Sequence, residues 1–225
     1  QGHDVFLYNN CNRSGVVDGV LCIPLSQEVA TLDHLISGFE PDAIIVNGGA
    51  QLAPVLRPKL TTQAPWYFWT GHSAKQPFST PLAQPECQAA WDAFLFVGTW
   101  QSEQYQKHLG LPPERCHFLR NAMAESFEKA DSSWEAVKAH KTANPSLIYT
   151  STPFRGLEVL ARAFPKIRNK VPDCELHVYS SMKVYQEQEE AAMETLYQML
   201  RQTRGVHYHG SVSQPELVEA MHQAW

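Results

Sequence analysis

One pattern constrains this 225-residue chain more than any other. A short apolar run is followed by a turn of small or polar residues, then by a segment with apolar residues at helical spacing. The apolar runs are Ala43-Ile44-Ile45-Val46, Trp66-Tyr67-Phe68-Trp69, Phe94-Leu95-Phe96-Val97 and Ser146-Leu147-Ile148-Tyr149; Cys116-His117-Phe118-Leu119, Glu175-Leu176-His177-Val178-Tyr179 and Val206-His207-Tyr208-His209 read as further strands in the same rhythm. A strand with one wet face alternates apolar and polar residues, whereas a continuous apolar run suits a strand covered on both faces. Strands alternating with helices predict an α/β chain with parallel sheets.

The helical segments are Val29 to Ile36 (ended by Gly38), Ala50 to Leu56, Trp100 to His108, Leu157 to about Ile167, Val184 to Gln202, and 215–225. Pro54 falls in the first turn of its helix, where it is tolerated, and Gly205 stands where a C-cap is expected. Val5-Phe6-Leu7-Tyr8 and Val20-Leu21-Cys22-Ile23 read as two further strands. Residues 125–144 break the rhythm: they are polar, rich in Ser, Glu, Lys and Ala, with one tryptophan, Trp134. The expected organisation is a first domain over 1–124, a connection over 125–144 with a short helix, and a second domain over 145–225. Two consecutive βαβ series imply two Rossmann-like domains facing across a cleft, with ligands beyond the carboxyl ends of the strands. Gln1-Gly2-His3-Asp4 runs straight into a strand, and the last helical pattern stops without a cap. The chain therefore reads as a segment of a longer protein, its second domain incomplete.

Composition removes several function classes. The net charge is −5 and basic residues are scattered, which argues against a nucleic-acid surface. No apolar run approaches the length of a membrane span. The five cysteines are odd in number and lack CxxC spacing. A disulfide framework or zinc site is not expected, and a reduced, cytoplasmic compartment fits best.

The strand ends carry the candidate chemistry. After the first-domain strands stand Asn47-Gly48-Gly49, Gly71-His72-Ser73, Gly98-Thr99 and Arg120-Asn121. After the second-domain strands stand Ser151 to Gly156, Ser180-Ser181-Met182-Lys183 and Gly210-Ser211-Val212. Each alone reads as a turn; as a set they suit a phosphate-bearing ligand. In Thr150-Ser151-Thr152-Pro153-Phe154-Arg155-Gly156-Leu157, Thr152 can cap the following helix and Pro153 suits its first position. The helix N-terminus and Arg155 then make an anion site, and Gly156 allows close approach. The plain alternative is a capped helix with a surface arginine. His72 follows an aromatic strand and a glycine, where it can donate a hydrogen bond or move a proton; the alternative is a loop histidine bonded to backbone. His207 and His209 share one strand face, a spacing that can bind metal, but no third ligand is evident. They are expected to pack under helices, and no metal site is assigned. Glu187, Glu189, Glu190 and Glu194 read as a solvated helix face. There is no Walker A loop, GxGxxG or GxSxG.

The second half resembles the donor-binding domain of GT-B glycosyltransferases, especially glycosyltransferase family 4. Ser151-Thr152-Pro153-Phe154-Arg155-Gly156-Leu157-Glu158-Val159-Leu160 is similar to that family's Ser-Ser-Pro-x-Arg-Gly-Leu subgroup, with Arg155 matching the basic residue that grips the donor diphosphate. The earlier arginine of the family's loop has no match; Ser151 and Thr152 stand near its place. Val171-Pro172-Asp173-Cys174-Glu175-Leu176-His177-Val178-Tyr179 resembles the family's Pro-x-x-x-Leu-x-Ile strand. Val206-His207-Tyr208-His209-Gly210-Ser211-Val212 resembles Val-x-Phe-x-Gly-x-Val, whose backbone after the glycine holds the base. Ser180-Ser181-Met182-Lys183-Val184-Tyr185 stands where a Gly-containing turn is common. In the first half, Trp69-Thr70-Gly71-His72 resembles the strand-end histidine near the sugar, and Arg120-Asn121-Ala122-Met123 resembles the Asn-Gly-Val hinge. Two family features fall outside the given sequence: a first strand with a Gly-rich turn before Gln1, and a Glu-x7-Glu segment after Trp225.

The resemblance implies a glycosyltransferase that moves a sugar from a nucleotide-diphosphate sugar to an acceptor hydroxyl, retaining and metal-independent, with no cofactor. It implies His72 as the catalytic residue, and Thr152, Arg155, Gly156, Lys183, Gly210 and Val212 as donor-binding. Asn121 and Gly48 are implied at the hinge and cleft. The acceptor is a glycan, lipid or small molecule, and peripheral membrane association stays open. The alternative is a non-catalytic nucleotide-sugar binding module or inactive fragment.

Overall fold

The computed structural model describes residues 2–9, 11–17, 19–25, 29–130, 133–141, 144–182 and 191–224. The chain divides into two compact units, Gln1–Asn121 and Ala122–Trp225.

The first unit opens with β1 (Phe6–Asn9), β2 (Gly15–Val17) and β3 (Val20–Pro24). These form a small sheet of order β1-β3-β2, in which β3 runs parallel to β1 and antiparallel to β2. The hairpin strand β2 was not expected; at three residues, Gly-Val-Val is too short to show a strand pattern, and all three residues are exposed. After α1 (Val29–Phe39) comes the main sheet: β4 (Ile44–Asn47), α2 (Leu52–Leu56), β5 (Trp66–Thr70), α3 (Pro85–Ala89), β6 (Ala93–Phe96), α4 (Thr99–Leu109) and β7 (Cys116–Phe118). Its order is β4-β5-β6-β7, all parallel.

Aromatic side chains fill the core of this unit. Phe68, Phe94, Phe96 and Tyr105 are fully buried. Phe68 meets Trp91 edge-on at 5.4 Å, and Phe96 packs on Tyr105 at 4.7 Å. Burying one such ring stabilises the fold by about 1.5–3 kcal/mol. The buried Tyr105 hydroxyl is satisfied by Ser79 at 2.8 Å, which avoids the cost of an orphaned polar group. Helix α4 begins at Gly98 and ends at Gly110, and Lys107 and His108 in its last turn complement the helix dipole.

The second unit begins with α5 (Glu125–Glu128) and α6 (Trp134–His140), both lying against its last helix. The segment 125–144, read from sequence as a connection, thus lies inside this unit. The series continues as β8 (Ser146–Tyr149), α7 (Leu157–Lys170), β9 (Glu175–Val178), α8 (Ala191–Gln202), β10 (Val206–Tyr208) and α9 (Gln214–Gln223). The sheet order is β10-β9-β8, all parallel. Leu157, Ala161 and Phe164 form the buried stripe of α7, at the i, i+4, i+7 spacing of an amphipathic helix. They pack with Leu176, Val178, Tyr197 and Leu200. Helix α9 starts with a capping box, in which Ser213 accepts from the Glu216 amide and Glu216 accepts from the Ser213 amide. The Gly205 expected as a C-cap comes after the end of α8, in the turn before β10. The acidic run 187–190 lies outside the described residues; Glu194 is exposed and pairs with Arg201 at 3.0 Å.

Candidate functional site

The loop between β8 and α7 gathers the candidate anion-binding groups of the second unit. Thr152 does not cap the helix, and Pro153 is not its first residue. Gly156 is the N-cap, at φ 97° and ψ 11°, in the left-handed region. An L side chain there costs about 1–2 kcal/mol, so glycine is required by backbone geometry. The local reason for the displaced cap is a turn that precedes the helix: the Arg155 amide donates to Thr152 O at 3.0 Å, and the Leu157 amide to Pro153 O at 3.2 Å. The first i→i−4 bond of α7 runs from the Leu160 amide to Gly156 O at 3.0 Å. The amides of Glu158 and Val159 therefore precede the helical ladder, where the dipole favours an anion.

Arg155 is exposed, and no carboxylate pairs with it among the described residues. Thr152 is only 9% exposed, and its hydroxyl is buried with no hydrogen-bond partner among the described residues. An orphaned buried hydroxyl costs about 1–3 kcal/mol.

Three hydroxyls tie the strand ends together. Tyr149 Oη donates to Thr152 O at 2.7 Å, Ser180 Oγ to Ser151 O at 2.6 Å, and Tyr208 Oη to Ser180 O at 2.9 Å. Burial pushes the Tyr149 phenol up, against opposing pulls from a Ser151 hydrogen bond and the Arg155 charge. Sequence reasoning missed Tyr149 and Tyr208 because aromatic residues in a strand read as core. Gly210 follows β10 at φ 74°, and Val212 is half-buried beside it in sequence. Lys183 lies outside the described residues. Thr152, Arg155, Gly156, Gly210 and Val212 thus all follow the carboxyl ends of β8 and β10, the two strands that flank β9.

In the first unit, His72 follows β5 with an exposed side chain. Its ring meets Phe78 edge-on at 4.7 Å. Its backbone is held firmly: the amide donates to Thr70 Oγ1 at 3.1 Å, and the carbonyl accepts from Gln101 Nε2 at 2.7 Å. The half of α4 nearest β5 thus fixes the loop while leaving the imidazole free to face solvent. Gly48 follows β4, is buried, and sits at φ 71° with its amide bonded to Trp69 O at 2.8 Å. Asn121 is exposed, at the end of the first unit.

His207 and His209 do not pack under helices. His207 keeps 45% of its side chain exposed. The face they share continues onto β9, because the parallel register places His207 beside His177. His177 stacks on His207 at 4.7 Å and on His209 at 5.3 Å, and Tyr179 stacks on His209 at 4.4 Å. Burial lowers the His177 and His209 pKa values first; His207 lowers both further, and His209 lowers that of His177.

Solved structures share this fold. A glycosyltransferase from Rickettsia africae ESF-5 matches over 99% of this chain and 63% of its own, with a TM-score of 0.64 at 10% identity. Anabaena HepE, in complex with UDP and glucose, matches over 97% of this chain and 72% of its own, with a TM-score of 0.60 at 12% identity. A UDP-GlcNAc 2-epimerase from Neisseria meningitidis, bound to UDP-GlcNAc, matches over 87% of this chain and 56% of its own, with a TM-score of 0.53 at 12% identity. The chain thus spans less than two thirds of the length of the Rickettsia and Neisseria proteins. No protein-family model matches the sequence, and no curated protein matches it. The expected class, α/β with Rossmann-like units and parallel sheets, is the one observed, and the fold is that of the GT-B glycosyltransferases.

Proposed function

We propose that the second unit binds the diphosphate of a nucleotide-diphosphate sugar at the loop Ser151–Gly156. We read the parent protein as a glycosyltransferase that passes the sugar to an acceptor hydroxyl. The observation that carries this reading is Arg155: an exposed cation, unpaired among the described residues, beside a left-handed glycine at the start of α7. A leaving diphosphate needs its developing charge neutralised by prearranged donors. Arg155 supplies a planar fork suited to phosphate, and the amides that follow Gly156 supply a helix N-terminus. HepE was solved with UDP and glucose, and the Neisseria epimerase with UDP-GlcNAc; both support UDP as the first nucleotide to try. Gly210 and Val212 are assigned to the base, Thr152 and Lys183 to the donor pocket, and His72 to the sugar as hydrogen-bond donor or proton carrier. Asn121 and Gly48 are assigned to the hinge and to the ligand-facing turn. Retention of stereochemistry and independence of metal follow from the family resemblance. The five free thiols favour a reducing, cytoplasmic setting. No helix among the described residues is long and apolar enough to cross a membrane.

Calorimetric titration with UDP tests the claim. Arg155→Ala is expected to weaken UDP binding by about tenfold or more, the value of a charge-assisted hydrogen bond. Equal affinity in the parent chain and Arg155→Ala removes the diphosphate assignment. UDP binding without release of UDP from UDP-sugars, across glycan, lipid and small-molecule acceptors, favours the alternative of a non-catalytic nucleotide-sugar module.

A further inference from the structure

The second sheet carries a cluster that the donor reading does not use. Strand β9 alternates Glu175 and His177 on one face with the buried Leu176 and Val178 on the other, and Tyr179 follows directly. Strand β10 sets His207 beside His177 in parallel register, and His209, just past the strand, stacks on the same His177 ring. Glu175 Oε2 lies 3.7 Å from His177 Nε2 and 3.6 Å from His207 Nε2. One ligand atom from each of Glu175, His177 and His207 falls within 4.8 Å of the others.

We propose that Glu175, His177 and His207 form a binding site for a divalent cation of the zinc class. Two imidazoles and one carboxylate are a known zinc-binding set, and tetrahedral bonds of about 2.0–2.1 Å put neighbouring ligand atoms about 3.3–3.4 Å apart. The carboxylate-to-imidazole distances are a few tenths of an ångström longer than that. The histidine χ2 torsions are broad and soft, so the two rings can turn their Nε2 lone pairs to a common point at small cost.

The second layer of the site is also present. His177 Nδ1 lies 3.1 Å from His209 Nε2. With Nδ1–H donating to His209, the Nε2 of His177 is the free lone pair, which is how metal-bound histidines are usually held. Tyr179 stacks on the His209 ring and fixes its plane. Beside the cluster lies a cavity of about 310 Å³, walled by Asn144, Ser146, Glu175, His177, Tyr179 and Gln223. Three protein ligands leave at least one coordination position, and the cavity has room for a water or an oxygen donor there.

The test is a titration of the chain with Zn²⁺ by calorimetry and with Co²⁺ by visible absorption, in chelating-free buffer. The expected result is one ion per chain, a Co²⁺ spectrum of nitrogen and oxygen ligands without a thiolate charge-transfer band, and no competition from Mg²⁺, which prefers all-oxygen sites. His209→Ala should weaken Zn²⁺ binding by about 10–100-fold, and Glu175→Gln and His207→Ala by more than that. His207 is the most exposed of the three, so its variant keeps the test valid if changes at His177 disturb folding; circular dichroism confirms the fold. His34→Ala, a histidine outside the cluster, should bind like the parent. Absence of Zn²⁺ uptake, parent-like binding by both Glu175→Gln and His207→Ala, or a thiolate band overturns the proposal. The donor and metal sites fail separately: Arg155→Ala should leave Zn²⁺ uptake unchanged, and a chelator should leave UDP binding unchanged.

Discussion

The four-stranded sheet of the first unit and the three-stranded sheet of the second are both parallel, yet they spend their strand residues differently. In β5, Trp66, Phe68 and Thr70 are buried, and the intervening Tyr67 and Trp69 are half-buried. That sheet holds apolar or aromatic residues on both faces, as parallel sheets usually do. In β9, Leu176 and Val178 are buried against α7 and α8, while Glu175 and His177, with Tyr179 just after the strand, make a polar, ring-stacked face on the other side. The same topology thus supports a core that is apolar on both sides in one unit and a sheet with one chemically equipped side in the other. Stability should depend on both faces of β5 but only on one face of β9.

Substitutions along these two strands probe that difference most strongly. Phe68→Ala is expected to destabilise the first unit by about 3–5 kcal/mol, and Leu176→Ala the second by about 2–5 kcal/mol, measured by urea unfolding with hydrogen exchange to localise the loss. His177→Ala, adjacent to Leu176 but on the polar face, should cost about 1 kcal/mol or less in metal-free buffer. A His177→Ala loss equal to that of Leu176→Ala would break the contrast between the two faces.

A smaller effect is expected where the sheet hands over to α7. Gly156→Ala forces an L residue into the left-handed region and should cost about 1–2 kcal/mol in thermal unfolding, with UDP affinity falling because the loop amides shift. An unchanged melting temperature would mean that the loop relaxes to another geometry.

The smallest effect concerns α9. Ser213→Ala removes the cap hydroxyl, and losses of about 1 kcal/mol are typical for such a cap. Hydrogen bonds from Ser213 hold the Glu216 carboxyl below its usual pKa. A depressed folded pKa means a contribution that is present above the ordinary carboxylate pKa and lost as pH falls through the folded value. The parent chain should therefore lose this part of its stability in acid, and Ser213→Ala should show a flatter acid limb in pH-dependent melting.

The sequence made most of the fold legible because strands such as β4, β5 and β6 are apolar runs bounded by turn residues. Phe94-Leu95-Phe96 and Trp66 to Trp69 announce themselves this way. Strand β2 was not visible because Gly15-Val16-Val17 is too short for a pattern, and its pairing with β3 appears only in the fold. The helix start after β8 was misplaced for a tertiary reason. Thr152 has the chemistry of a cap, but its carbonyl is held by the Tyr149 hydroxyl and its side chain is buried. Arg155 was legible as a basic residue at a helix start; that it stands unpaired among the described residues required coordinates. The missing third ligand beside His207 was in plain sight at Glu175. Its spacing from His177 resembles that of His207 from His209, but only the β9–β10 register shows that His207 lies beside His177.

The hydroxyl ties of Tyr149, Ser180 and Tyr208 have a consequence for selectivity. Each donates to a main-chain carbonyl at a strand end of the second unit, on Thr152, Ser151 and Ser180 in turn. Those oxygens are the groups with which this end of the sheet would attract a cation. Each bond takes up acceptor capacity of its carbonyl, while Arg155 stays exposed and the Glu158 and Val159 amides precede the helical ladder. The loop is therefore biased: the three hydroxyls weaken its pull on cations without weakening its pull on anions, which shifts its preference toward phosphates and away from ammonium groups.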